Sequence, residues 1–408
     1  MDDIINKISK NKSVELAEHK AERSANMIYI NLGEECNENC VFCVVKGDNQ
    51  GVFGFLSTNE VKNIIKIFAF HGGHSIVFTG GEPTLRNDLP LIIKYAEKFE
   101  SIQNICIISN GVRLSDKKFF MQLLEADSRH ILNFSISLHS HKKSISELLT
   151  RTPNSFNKTI SGIKNIISNK RQLTIYQVIT SRNYKDLYNF SKYLYFNFPT
   201  IKQITFAYPF PQGNALQNTW IFPKISQIRP YLLKAFKFLE QKQYQVYIAS
   251  CGQFPLCAIP GFEETVLASL EFSERNVLGV VGEKTYHDFE MAGEQFQDFY
   301  KNKHPIKCRK CILRTVCQGY WKKYIELFNF DGLRIVTFNN FKGPKLKSNL
   351  ITNKDLDKIK QKLNARKLNV IKLPKYQTDY LNSLVLFIKQ NNLLTIILDK
   401  DNNILYPY

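Results

Sequence analysis

Between residue 27 and about residue 210, short apolar runs alternate six times in succession with segments whose apolar residues recur at helical spacing. The strand-like runs are Met27 to Gly33, Ser75 to Thr79, Ile105 to Ser109, Asn133 to Leu138, Leu173 to Ile179 and Gln203 to Tyr208. Between them, Ser57-Thr58-Asn59-Glu60 offers a capping box for a helix through about Phe70. Further helices are expected at Leu89 to Phe99, Ser115 to Glu125, Phe156 to Ser168 and Lys185 to Phe196. Such β-α units joined by short loops require a parallel sheet with helices packed outside it. Six units are too few to close an eight-stranded barrel. The expected fold is therefore α/β, a partial (β/α)6 parallel barrel whose active face lies at the C-terminal ends of its strands.

The rest of the 408 residues divides around this core. Residues 1–26 read as a polar N-terminal arm, and 27–250 as the barrel, with a long helix at Ile225 to Gln243 and a strand at Tyr244 to Ala249 that continues the sheet edge. Residues 251–340 break down into Gly, Pro and Cys-bearing loops, a pattern suited to a region held by metal. Residues 341–408 form a small basic α+β unit, with helices at Lys354 to Arg366 and Tyr380 to Asn391 and a buried strand at Leu393 to Leu398. No run of about 18 apolar residues occurs and Met1 to Ile5 lacks an export signal, so the expectation is a soluble, cytoplasmic protein with no membrane partner. The formal charge of +19 points either to an acidic partner such as nucleic acid or to lysines spread over solvated faces; basic composition alone builds no phosphate-binding patch.

Nine cysteines are present, at 36, 40, 43, 106, 251, 257, 308, 311 and 317. Their odd number and tight clustering argue for metal ligation in a reducing compartment rather than a disulfide framework. Cys36, Cys40 and Cys43 follow the first strand with C-x3-C-x2-C spacing. Three thiolates so spaced can hold one iron–sulfur cluster and leave one iron without a protein ligand, open to a substrate or cofactor. Zinc binding is the simpler reading, but a structural zinc site normally wants a fourth nearby Cys or His. One unit later, the second strand ends in Thr79-Gly80-Gly81-Glu82-Pro83-Thr84, where two glycines bare main-chain carbonyls that can accept from an ammonium group.

Together these motifs resemble the radical S-adenosylmethionine (radical SAM) enzymes, which combine such a triad, an aromatic residue before its last cysteine (Phe42), and a Gly-Gly-Glu-Pro turn. Ile108-Ser109-Asn110-Gly111 and Ser135-Ile136-Ser137-Leu138-His139 look like the same family, and the resemblance runs from residue 27 to about 210. It implies a [4Fe-4S] cluster that binds S-adenosyl-L-methionine (SAM) and reductively cleaves it to a 5′-deoxyadenosyl radical, which abstracts hydrogen from substrate. By the same analogy Gly80, Gly81 and Glu82 hold the methionyl ammonium, Phe42 helps seat the adenine, and Ser137 faces the ribose or carboxylate. Arg151 is read as a ligand of the SAM carboxylate or a surface arginine, Asn110 as pocket lining or an Asn-Gly turn, and His139 and His141 as active-face groups or loop polar residues.

A second array, Cys308, Cys311 and Cys317 with C-x2-C-x5-C spacing, is preceded by Cys251 and Cys257, either of which can complete it. It looks like the auxiliary-cluster region of radical SAM enzymes with a SPASM or twitch extension, but lacks a further cysteine three residues past Cys317. One auxiliary [4Fe-4S] cluster is the expectation, with Cys257 as the fourth ligand and zinc as the alternative. Cys106 reads as a core residue. The extension resembles that of peptide maturases, so a ribosomally made peptide or protein is the expected substrate and a flavodoxin or ferredoxin the expected electron donor. A small-molecule or nucleotide reaction like that of the molybdopterin-precursor cyclase, an RNA-modifying activity, and a non-enzymatic iron–sulfur or electron-transfer role are the alternatives.

Overall fold

A computed structural model describes residues 26–45, 54–249, 254–266, 277–281, 284–287, 303–347, 353–363, 368–373, 378–391, 393 and 395–406. The expected arm at 1–26 and Cys251 lie outside the described residues, apart from Asn26.

The alternation appears as expected. Strands β1 (Met27–Asn31), β2 (Ser75–Thr79), β3 (Asn104–Ser109), β4 (Leu132–Ser137), β5 (Leu173–Val178), β6 (Gln203–Ala207) and β7 (Gln245–Ile248) pair in sequence order, every pair parallel. The helices between them are α1 (Thr58–Phe70), α2 (Leu89–Ala96), α3 (Lys117–Ala126), α4 (Lys143–Thr150), α5 (Ser155–Ser168), α6 (Leu187–Asn197), the single turn α7 (Asn214–Gln217) and α8 (Ile225–Gln241). The capping box forms at the start of α1: Glu60 N donates to Ser57 Oγ at 3.2 Å while Ser57 N donates to the Glu60 carboxylate at 2.6 Å. Helix α4 was not foreseen, since Lys143-Ser144-Ile145-Ser146 carries little helical signal.

Burial along β1, β3, β4 and β6 has a period of two, whereas in β2 Val77 is buried as well as Ile76 and Phe78. Ile28 and Ile30, Ile105 and Ile107, Phe134 and Ile136, and Ile204 and Phe206 are buried with the apolar faces of the helices in one core. Their neighbours Tyr29, Cys106, Ser135, Ser137, Tyr176 and Thr205 are only partly covered. A parallel sheet flanked by helices on both faces would bury both sets. Here one face is packed and the other stays open, as the inner face of a partial barrel must.

Two strands from the cysteine-bearing region enlarge this sheet. Strand β8 (Val277–Val281) pairs parallel with β1, and β9 (Lys284–His287) pairs antiparallel with β8, giving the order β7-β6-β5-β4-β3-β2-β1-β8-β9. A short helix, α9 (Lys322–Phe328), follows the last cysteine.

The C-terminal residues form a second sheet, β10 (Lys345–Lys347), β11 (Asn369–Lys372), β12 (Thr395–Leu398) and β13 (Ile404–Tyr406), with β13 antiparallel to β12. Its two faces do different things. Val370, Ile396 and Leu398 join the main core, whereas Ile371 and Ile397 pack with Ile359 of α10 (Asn353–Lys362) and Leu384 and Ile388 of α11 (Thr378–Gln390). This small sheet is thus sandwiched between the body and its own helices.

Candidate active site

The first cysteine loop leaves β1 at the C-terminal end of the parallel sheet, where the ends of β2, β3 and β4 also lie. It is fixed by its backbone. Leu32 N donates to Thr79 O at 2.9 Å, Gly81 N to Gly33 O at 2.7 Å and Glu82 N to Glu35 O at 2.8 Å, so the Gly-Gly-Glu-Pro turn runs alongside the loop as an extension of the β1–β2 pairing.

This contact explains both glycines. A Cβ on Gly80 would meet Gly33 O at 2.3 Å, and one on Gly81 would meet the carbonyl oxygens of Glu35 and Glu34 at 2.3 and 2.4 Å. Gly80 also sits at φ +132°, where an L side chain is strained. The missing side chains let the cysteine loop come close, a requirement that holds with or without a ligand.

Glu82 is fully buried and saturated by protein donors. One oxygen accepts from Thr84 N (3.0 Å), Thr84 Oγ1 (2.6 Å) and Ser109 Oγ (2.8 Å), the other from Asn110 N (2.7 Å). Burial raises its pKa while these hydrogen bonds oppose the rise. Its carboxylate therefore ties the end of β2 to the end of β3. Asn110 continues the stitching: its Nδ2 donates to Asn37 Oδ1 inside the cysteine loop at 2.7 Å, and its Oδ1 accepts from Val112 N at 2.9 Å.

The loop is held on its other sides by residues without a motif. Asn39 N and Val41 N donate to Thr150 O (3.1 Å) and Leu149 O (2.9 Å) at the end of α4. Asn214 donates from Nδ2 to Cys40 O at 2.8 Å and from its backbone to Cys43 O at 2.8 Å; Asn218 Nδ2 donates to Val41 O at 3.3 Å. Arg151, exposed and left-handed at φ +50°, donates to Asn218 Oδ1 at 2.6 Å. In an asparagine-rich chain, Asn214 and Asn218 carry no signal that sequence reasoning could use.

Within the loop, Cys40 Sγ lies 3.4 Å from the carboxylate of buried Glu38, and Glu38 N donates to Cys36 Sγ at 3.4 Å. Burial, then Glu38, Cys43 and Cys36, push the Cys40 thiol well up. Phe42 meets the His139 ring edge-on at 4.5 Å. His139 is buried, accepts from Val178 N at Nδ1 (3.3 Å) and has its pKa lowered to about 3 by burial, so it is a neutral ring behind Phe42. Ser137 ends β4 on the open face.

The second array assembles from distant segments. Cys257, Cys308, Cys311 and Cys317 line one small pocket together with His304, Arg314, Tyr320 and Arg334. Leu256 N and Gly319 N each donate to Cys317 Sγ at 3.4 Å, and the Tyr320 hydroxyl lies 3.9 Å from Cys257 Sγ. Lys303 and Tyr320 exchange backbone hydrogen bonds, and the ring of His304 reaches Cys317 O at 2.8 Å. Burial pushes the thiols of Cys308 and Cys317 up to about 11 and about 12, with Arg314 pulling Cys308 the other way. His304, four residues before Cys308, was missed although its position near a cysteine run was a usable signal.

Both sets suit an iron–sulfur cluster by donor chemistry: three thiols on one braced loop, and four thiols around one pocket with N–H groups aimed at sulfur. Among the described residues, no three His, Cys, Asp or Glu side chains close on a single point as a lone metal ion would require, and no helix is long and apolar enough to cross a membrane.

Residues 30–194 match the family model described as the Radical SAM superfamily. The GTP 3′,8-cyclase of Limosilactobacillus fermentum is 26% identical over 344 residues, 77% of this chain and 86% of that protein. The GTP 3′,8-cyclase of Aquifex aeolicus is 35% identical over 124 residues, but these span only 30% of this chain and 37% of that protein. Among solved structures, Streptococcus suis SuiB bound to S-adenosylmethionine superposes with a TM-score of 0.53 at 16% identity, covering 76% of each chain, which shows a shared fold. The matched segment holds the cysteine loop, the Gly-Gly-Glu-Pro turn, the end of β1 and strands β2 to β5, so residues 30–194 are a radical SAM domain, a type that uses a [4Fe-4S] cluster and SAM.

Proposed function

We propose that this enzyme uses Cys36, Cys40 and Cys43 to hold the SAM-cleaving cluster and Cys257, Cys308, Cys311 and Cys317 to hold an auxiliary cluster, and that it acts on a small anionic substrate of the nucleoside triphosphate class. When bound, the first cluster supplies one electron to SAM. The chain's own residues position that event. Phe42, backed by His139, offers an aromatic face beside the cysteine loop; Ser137 and the carbonyl groups of Gly80 and Gly81 offer polar atoms at the strand ends; Glu82, Asn110 and Arg151 act chiefly by holding the surrounding backbone and Asn218 in place.

The observation that carries the substrate reading is the similarity to proteins named GTP 3′,8-cyclase, which in the Limosilactobacillus case extends over 77% of the chain and so reaches past the barrel. Arg314 and Arg334 beside the second pocket and the net charge of +19 agree with an anionic substrate. This reading replaces the peptide as first choice. A peptide keeps second place because the four cysteines of the pocket leave no iron of an auxiliary cubane for a nucleotide to bind directly.

The test is anaerobic incubation of the reconstituted enzyme with SAM, dithionite and GTP. GTP should be consumed in step with formation of 5′-deoxyadenosine; 5′-deoxyadenosine that forms at the same rate without GTP, and leaves GTP intact, rejects the nucleotide reading in favour of the peptide.

A further inference from the structure

The Tyr320 hydroxyl is buried inside the protein yet has a sulfur for a neighbour, at 3.9 Å from Cys257 Sγ. We infer that Tyr320 is a hydrogen-bond donor to the Cys257 thiolate and raises the reduction potential of the auxiliary site. The inference rests on the cluster reading of this pocket and extends it to a residue outside the cysteine set.

A cysteine that ligates iron is deprotonated and can only accept, so the phenol hydrogen must point from Tyr320 to sulfur. Hydrogen bonds to ligating sulfurs withdraw charge and favour the reduced cluster, which is one more electron negative. Tyr320 shares this work with two backbone donors on Cys317, Leu256 N and Gly319 N, and with the cations Arg314 and Arg334 on the pocket wall. It is placed to do so by its own backbone: Tyr320 and Lys303 bond reciprocally, and Gly319 takes φ +81°, where a Cβ would lie 2.9 Å from Lys303 O. The ring is wedged against Tyr324 at 5.5 Å and Phe330 at 5.6 Å, so removal of the hydroxyl alone leaves the packing intact.

The cluster proposed for Cys36 to Cys43 lies outside this pocket and is an internal reference in the same sample. The experiment is an anaerobic redox titration of the full-length, reconstituted protein followed by electron paramagnetic resonance, with iron and sulfide measured for each variant. Tyr320→Phe should keep both clusters and move only the auxiliary midpoint to a more negative potential. Tyr320→3-fluorotyrosine, whose more acidic hydroxyl donates more strongly, should move it the other way and serves if the Phe variant fails to assemble. Midpoints that stay where they were in the fluorotyrosine protein, or in a fully loaded Phe variant, overturn the inference. If Cys308→Ala instead retains the parent's full iron and sulfide, the cluster reading itself fails.

Discussion

The two thiol sites of this enzyme are built in opposite ways. Cys36, Cys40 and Cys43 lie within eight residues on one loop, and that loop is held by main-chain hydrogen bonds to the Gly-Gly-Glu-Pro turn, α4 and α7. The pocket sulfurs come from residues 257 to 317 and carry contacts from Leu256 N, Gly319 N and the Tyr320 hydroxyl, as Cys36 in the loop does from Glu38 N. On the proposed reading the first set of thiols leaves one cluster iron free, and the second completes its ligand set. A site that must seat a cofactor on an open iron needs exact placement of a scaffold, whereas a closed set of four thiols can be gathered from distant segments.

If this contrast is right, damage to loop packing should fall on one cluster only. Gly81→Ala forces a Cβ to within about the 2.3–2.4 Å at which the Glu34 and Glu35 carbonyl oxygens now stand, so the cysteine loop must move. Most of the SAM-cleaving cluster should be lost, read as a halved iron content and loss of the SAM-perturbed resonance signal, while the pocket cluster persists. Equal loss from both sites would break the comparison.

Glu82→Gln is the milder version. The amide must set an N–H₂ group against the donors on one carboxylate oxygen, leaving a buried donor unsatisfied at a cost of about 1–3 kcal/mol. A lower Tm and a weaker hold on the first cluster are expected, with the auxiliary midpoint unchanged. A variant as stable as the parent would mean that Glu82 does not brace the loop.

What could be read from the sequence follows the range over which its signals act. The β-α alternation and the Ser57–Glu60 capping box are local patterns, and both appear where expected. The cysteine spacing and the Gly-Gly-Glu-Pro turn were legible as motifs, but the physical reason for Gly80 and Gly81 lies in carbonyl groups some 45 residues earlier, which no local reading reveals. Asn214 and Asn218 reach the loop across about 175 residues and look like any other asparagine. Strands β8 and β9, and three of the four strands in the small C-terminal sheet, were missed because runs of three to five residues take their strand character from the partner they pair with.

The central claim, that the Cys36 to Cys43 loop makes this chain a SAM-cleaving enzyme and the pocket does not, is tested most directly by 5′-deoxyadenosine release. The anaerobically reconstituted parent, Cys40→Ala and Cys311→Ala proteins are each given SAM and dithionite. The parent should release 5′-deoxyadenosine, Cys311→Ala should still release it without turning over substrate, and Cys40→Ala should release none. No release from a parent whose clusters are fully assembled, or equal release from Cys40→Ala, would contradict the account.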